Sequence, residues 1–299
     1  MAAVPPARVP FWSGWHTLGI ALIALLLAGL ALSPLRWPLT PGDSRSALVT
    51  WSIVAVLLIA FVLILGHGIV GRPLGALIGA RNRMSLSRLQ LIAWTILVLS
   101  AWLTAVLWNL ASGVADPLTI ALPMELWLLL GISATALVGT PLVLSTKMSR
   151  PPDAEQAMGQ MQLAAARRGR AVATVDGEMG VTMTTSMMQD MGLTRRGLVV
   201  ANVSSHDASL ADLFMGDEVG NFAEIDLSKV QMFFFTVMII LAYAATLGAM
   251  FAAARPAGIV AFPALSESVV ALLGISQASY LTYKAVPHTA PPQPQPPAS

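Results

Sequence analysis

The 299-residue chain has no cysteine, and only 11% of its residues are charged. Without thiols it forms no disulfide, offers no thiolate nucleophile and holds no metal through cysteine. Its four histidines, His16, His67, His206 and His288, are scattered, with no pair at helical ligand spacing. That argues against haem and zinc. A phosphate-binding glycine loop, a nucleophile elbow and a metalloprotease motif are also missing. The sequence therefore reads as that of a non-enzyme without cofactor or metal. No Asp, Glu, Lys, Arg or His falls clearly at the centre of an apolar run. This counts against proton- or ion-coupled transport, which usually needs ionisable groups inside the membrane.

What is abundant is apolar surface: 56% of residues are hydrophobic and the mean hydropathy is +0.72. Runs of about 20 residues almost free of charge match a hydrocarbon core ~30 Å thick at ~1.5 Å per residue. Six spans are expected, at 17–33, 47–66, 90–110, 123–145, 230–254 and 268–286. A cleaved signal peptide competes for the first, because its apolar core is short and follows Arg8. Pro34 suits a cleavage point poorly, so a retained helix is expected.

The fold class is an all-α membrane protein with a duplicated helical hairpin and a small mixed cytoplasmic insertion. Ser85-Leu-Ser-Arg-Leu-Gln90 and Asp226-Leu-Ser-Lys-Val-Gln231 each open an apolar run, at an offset of 226 − 85 = 141. Each run is followed by a second that contains Leu-Leu-Gly-Ile-Ser, at 129–133 and 272–276. The chain divides into a two-span region and basic connector at 1–84 and a first hairpin at 85–146. The insertion at 147–228, a second hairpin at 229–286 and a disordered Pro-rich tail at 287–299 follow. In the insertion, Asp153-Ala-Glu-Gln156 is a capping box ahead of a helix at 154–169. A second helix starts at 186–189, stopped by Gly192, and 172–175 and 198–203 have strand character.

Lysine and arginine set the orientation. Arg72, Arg81, Arg83 and Arg88 lie between spans two and three; Lys147, Arg150, Arg167, Arg168, Arg170, Arg195, Arg196 and Lys229 lie between four and five. Both connectors are expected in the cytoplasm, with both termini, in a cell inner membrane. Trp12, Trp15 and Trp94 then fall at inner ends; Trp37, Trp51, Trp108 and Trp127 fall at or near outer ones.

Seven-residue steps along the paired spans give two matched stripes: Arg88, Thr95, Trp102 and Asn109, and Lys229, Thr236, Tyr243 and Met250. Seven residues are nearly two helical turns, so each set shares a face. Either the stripes pack between helices, with Arg88 and Lys229 anchoring headgroups at the membrane interface, or they line a polar pathway. Ser276, Gln277 and Tyr280 make the sixth span polar on the side that must face protein or water. Glu125 and Glu267 fall in first turns near the outer surface, favoured there by the helix dipole or forming an acidic vestibule. These residues are the pathway candidates.

Gly131, Thr135 and Gly139, like Gly274 and Ala278, are spaced for close helix packing. Met179, Met183, Met187 and Met191 read as a pliable apolar face rather than a soft-metal site. Asp217-Glu-Val-Gly-Asn221 with Glu224 and Asp226 reads as capping and solvation. The three arginines at 167–170 are too few to indicate nucleic acid.

Ser85-Leu-Ser-Arg-Leu-Gln90, Asp212-Leu-Phe-Met-Gly-Asp-Glu-Val-Gly-Asn221, Asp226-Leu-Ser-Lys-Val-Gln-Met-Phe-Phe-Phe-Thr236 and Leu272-Leu-Gly-Ile-Ser276 resemble signatures of an uncharacterised family of bacterial multi-spanning inner-membrane proteins. The resemblance covers roughly residues 70–290 and brings no activity with it. The readings that follow are an oligomeric pore or passive transport component and, as the alternative, a non-conducting anchor or scaffold. The partners implied are the lipid bilayer, further copies of the chain for a pore, and a cytoplasmic protein on 147–228 for an anchor.

Overall fold

The long apolar runs become long helices because hydrocarbon offers the backbone no other hydrogen-bond partner. The computed structural model describes residues 11–32, 44–167, 188–189, 192–255 and 257–289. Among them are seven α-helices: α1 Gly14–Leu32, α2 Ser44–Val70, α3 Leu86–Ala111, α4 Met124–Ser145, α5 Ala154–Arg167, α6 Leu227–Ala252 and α7 Glu267–Ala285. Five of them, α1, α2, α3, α4 and α6, are long and apolar enough to cross a membrane. At 26 residues, α3 and α6 are each ~39 Å long, more than a hydrocarbon core requires. Large apolar side chains point outward along all five: Leu22, Val56, Leu99, Val138 and Leu241 are exposed. In water such a surface would aggregate; it suits lipid. The expected sixth span, α7, falls outside this group because Ser276, Gln277, Ser279, Tyr280 and Lys284 dilute its apolar content.

The chain divides into two compact units. The first comprises Met1–Leu77, Ile92–Leu130 and Met238–Glu267. In it α1 packs on α2, where a Cβ on Gly19 would sit 3.0 Å from Ile64. Trp51 of α2 donates from Nε1 to Ser100 Oγ of α3 at 3.0 Å, and its ring lies 5.4 Å from Phe251 of α6. The segments ahead of α4 and α7 pair as a short parallel bridge at Ala121 and Ala261. Backbone bonds of 2.8 and 3.0 Å fix that bridge.

The second unit comprises Ile78–Leu91, Gly131–Val237 and Ser268–Ser299. Here β1 (Leu193–Arg196) pairs antiparallel with β2 (Val199–Asn202), closing at Arg196 opposite Val199. Gly197 in the turn has φ +56 and is pressed against the backbone of Met148, where a Cβ would collide with the carbonyl oxygen. No other residue fits there. Ala157 and Met161 of α5 pack with Met188, Leu193, Val200, Val219 and Phe222 into a small apolar core. Asp153 caps α5 through Gln156 N–H at 2.9 Å, as the Asp-x-x-Gln spacing predicts.

β2 falls within the strand expected at 198–203. β1 is an addition to the expected elements, and only Leu193 and the alternation after Gly192 hint at it in the sequence. Trp37, the strand expected at 172–175, Arg168, Arg170 and the methionines 179, 183, 187 and 191 lie outside the described residues. His288 and Thr289, near the start of the expected tail, are held in place. The His288 N–H and the Thr289 hydroxyl both donate to Glu218 Oε2.

Candidate functional site

The densest chemistry lies in the second unit, at the helix ends where charge accumulates. The segment 212–226 enters it under tight backbone control. Gly216 lies so close to Asn221 that a Cβ would collide with the Asn221 carbonyl oxygen. Asn221 Oδ1 accepts the Glu218 N–H at 3.0 Å, and Asp226 caps α6 by accepting the Ser228 and Lys229 N–H groups. The effect is to turn the carboxylates of Asp217 and Glu218 inward.

Four cations surround Asp217. Arg81 Nη2 is 2.8 Å from Oδ1, with Arg83 Nη1 at 3.8 Å from the same atom. Lys284 Nζ is 2.8 Å and Lys229 Nζ 3.1 Å from Oδ2. Burial alone would raise the Asp217 carboxyl pKa. The charges of Arg81, Lys229, Lys284 and Arg83 outweigh it and hold the group well below the usual carboxylate range. Arg83 also reaches Asp212 Oδ1 at 3.3 Å and the Gly216 carbonyl at 2.7 Å. Beside this group, Lys147 donates to Glu218 Oε1 at 2.5 Å, to the Val286 carbonyl at 2.8 Å and to the Lys284 carbonyl.

The elements that deliver these groups are the 78–84 connector, the ends of α4 and α7 and the start of α6. Asn82 takes a left-handed turn at φ 54 and exchanges amide bonds with Asn202 of β2, at 3.0 and 2.8 Å. Arg81 and Arg83 on either side of it are thereby aimed at 212–217. Desolvating so many charges is costly, and each is stable only while its partners remain. Asp217 is engaged by two guanidinium and two ammonium groups and Glu218 by the Lys147 ammonium, which makes the cluster a lock between backbone segments.

The pathway candidates fall as follows. Thr95 is exposed on α3 and Trp102 is half-buried. Asn109 is buried and clasps the loop ahead of α7: its Nδ2 donates to the Ile259 carbonyl at 2.9 Å, and its Oδ1 accepts the Ile259 N–H at 2.7 Å. The Tyr243 hydroxyl donates to the Pro263 carbonyl at 3.1 Å, with its ring 6.1 Å from that of Trp94. Thr236 and Ser276 are buried, and their hydroxyls have no hydrogen-bond partner among the described residues. Gln277 Nε2 donates to Gln90 Oε1, and Tyr280 lies 4.6 Å beneath the Lys284 ammonium. Glu125 and Glu267 sit in the first turns of α4 and α7, half-buried and exposed respectively. Of the two basic residues expected at headgroups, Lys229 is instead buried on Asp217 and the Met215 carbonyl. Arg88 is half-buried and lines a cleft between α3 and α4.

Sequence reasoning misses the cluster. Along the chain Arg81, Arg83 and Lys147 register only as charges that set orientation, Lys229 also as a headgroup anchor, and Asp217 and Glu218 as solvated acids. A usable signal is present in Lys147 and Lys229, each within three residues of an apolar run, where a buried partner is the alternative to snorkelling. No family model, curated protein or solved structure matches this chain.

Proposed function

We propose that the chain is a multi-spanning membrane scaffold that conducts nothing and holds its 147–228 insertion rigidly for a cytoplasmic protein partner. The observation that carries this reading is the cluster on Asp217 and Glu218. Basic groups from three helix ends and a connector converge on one loop of the insertion. A pore has no need of such a lock, whereas a docking module does. Asn109, Tyr243 and Gln277, candidates for lining a path, direct their polar groups at protein.

In this reading α7 is a sixth span. Its 19 residues reach ~28 Å. It buries Ser276, Gln277 and Tyr280 while turning Leu272 and Ile275 outward. The excess of Lys and Arg in the two connectors favours a cytoplasmic side of an inner membrane for the cluster and both termini. A duplicated hairpin is supported by the helix ends: the offset of 141 that separates Ser85 from Asp226 also separates Leu86 from Leu227 and Ala111 from Ala252, the bounds of α3 and α6.

A passive oligomeric pore is the second reading. Thr236, Ser276 and Ser133 favour it, as buried hydroxyls that water would satisfy. Purified protein in liposomes separates the two. The scaffold should leave ion and small-solute flux at the level of empty vesicles. A conductance that rises with the protein-to-lipid ratio would refute it.

A further inference from the structure

A recess of about 300 Å³ opens in the insertion beside Arg83, wholly inside the second unit. Its apolar lining includes Leu193, Val200 and Phe222 from the small core under α5, and Met215 adds a pliable thioether. Its polar lining includes Arg83, Asn202, Asp207, Ser209 and Asp212. Most of that polarity is satisfied internally. Arg83 and Asp212 answer each other's charge, and Asp212 also accepts the Met84 and Ser209 N–H groups at 3.2 and 3.0 Å. Asn202 Nδ2 donates to the Asn82 carbonyl at 2.8 Å.

Asp207 differs. Its carboxylate accepts the Ser204 N–H at 3.0 Å, and among the described residues no basic group pairs with it. The Ser204 hydroxyl in turn accepts the His206 N–H at 3.1 Å, so the turn that carries Asp207 is fixed before any partner arrives. Gly192, at φ +71, leaves room beside the carboxylate, since a Cβ there would sit 3.1 Å from Asp207 Cγ. On either side in the chain, Val203 is 54% exposed and Leu210 57% exposed, each next to a residue that lines the recess. An exposed acid therefore stands between apolar surfaces at the mouth of a largely apolar recess.

We propose that the cytoplasmic protein partner docks at this recess and inserts into it one arginine set between apolar residues. The guanidinium pairs with Asp207, and its methylene stem lies along Val200, Met215 and Phe222. With Arg83 answered by Asp212, Asp207 is the net charge of the described lining, and it calls for a cation. An arginine in a desolvated pocket ringed by apolar contacts is a frequent anchor of protein interfaces. Val203 and Leu210 argue for a polypeptide, since a free amine or guanidine would leave both uncovered. The inference rests on the scaffold reading.

The test uses the full-length protein in detergent and a dye-labelled, end-blocked peptide, Ser-Leu-Arg-Leu-Ser, read by fluorescence anisotropy. A second peptide carries citrulline for arginine, which keeps the shape and removes the charge. Wild type should prefer the arginine peptide about tenfold, the scale of one charge-assisted contact. D207N should lose that preference while binding the citrulline peptide as wild type does, a pattern that a merely unfolded insertion would not give. D207E should retain part of the preference, and E155Q, the same charge change elsewhere on the insertion, all of it. Equal binding of both peptides by wild type would overturn the site, as would a D207N protein that still discriminates or an E155Q loss equal to that of D207N. Free arginine amide competing as strongly as the peptide would overturn the polypeptide partner. Tighter peptide binding by R168Q/R170Q would show the chain's own arginines to be the occupant and would overturn it as well. Liposome flux keeps the two readings apart: flux at the level of empty vesicles with no peptide preference refutes the recess alone, whereas flux above that level refutes the scaffold.

Discussion

Replacing Asp217 with asparagine removes one negative charge and changes little of the side chain's volume. Four cations then face one another across a buried space, with Arg81 and Lys284 each losing a 2.8 Å partner and Lys229 one at 3.1 Å. Removing one member of a buried ion pair generally costs about 3–5 kcal/mol, because the other charge is left without compensation. The D217N protein should lose stability of that order. In a urea titration followed by limited proteolysis, the insertion should become cleavable at a clearly lower denaturant concentration. Adding K284M should recover part of the loss, since one of the stranded cations goes with it; the double-mutant cycle measures that coupling. Acid should reveal the same group. The folded pKa of Asp217 is depressed, so its contribution is fully present above the unfolded value of ~3.9 and is lost as pH falls through the folded one. Wild-type stability should decline below pH ~4 with a component that D217N lacks. A D217N protein as resistant as wild type, with the same acid profile, would refute the claim that the cluster locks the insertion.

The remaining predictions concern the helices. N109L should destabilise by about 2–4 kcal/mol, because the Ile259 N–H and carbonyl lose their partners while buried; thermal unfolding in detergent checks this. T236V removes a hydroxyl that has no partner among the described residues and keeps the shape. The scaffold expects unchanged or slightly raised stability and no flux before or after, whereas a measurable wild-type flux that T236V abolishes would favour the pore. Because the chain has no cysteine of its own, single cysteines report topology without background. A115C should react with an impermeant maleimide from outside intact cells and S149C only after lysis, and the reverse pattern would invert the orientation.

Local sequence is enough to establish that this chain consists of long apolar helices, and nearly where they begin. The expected spans at 47–66, 90–110, 123–145 and 230–254 all lie within observed helices or at their edges. A run of uncharged residues has one stable form in hydrocarbon, and its limits are set by the charge, proline and capping residues beside it. The cap at Asp153 and the strand at 199–202 are legible for the same reason, since each depends on neighbours a few residues away. The cluster is not. Arg81 and Asp217 are 136 residues apart and Lys147 and Lys284 are 137 apart. Nothing local distinguishes a charge that will be buried against a distant partner from one that remains in water. The matched stripe shows this directly: Arg88 and Lys229 occupy equivalent positions in sequence, yet one lines a cleft and the other is enclosed on Asp217. The path of 212–226, turned inward at Gly216 and held by Asn221, selects which of the two is enclosed. That path is a tertiary fact, because its energy depends on every charge that arrives there together.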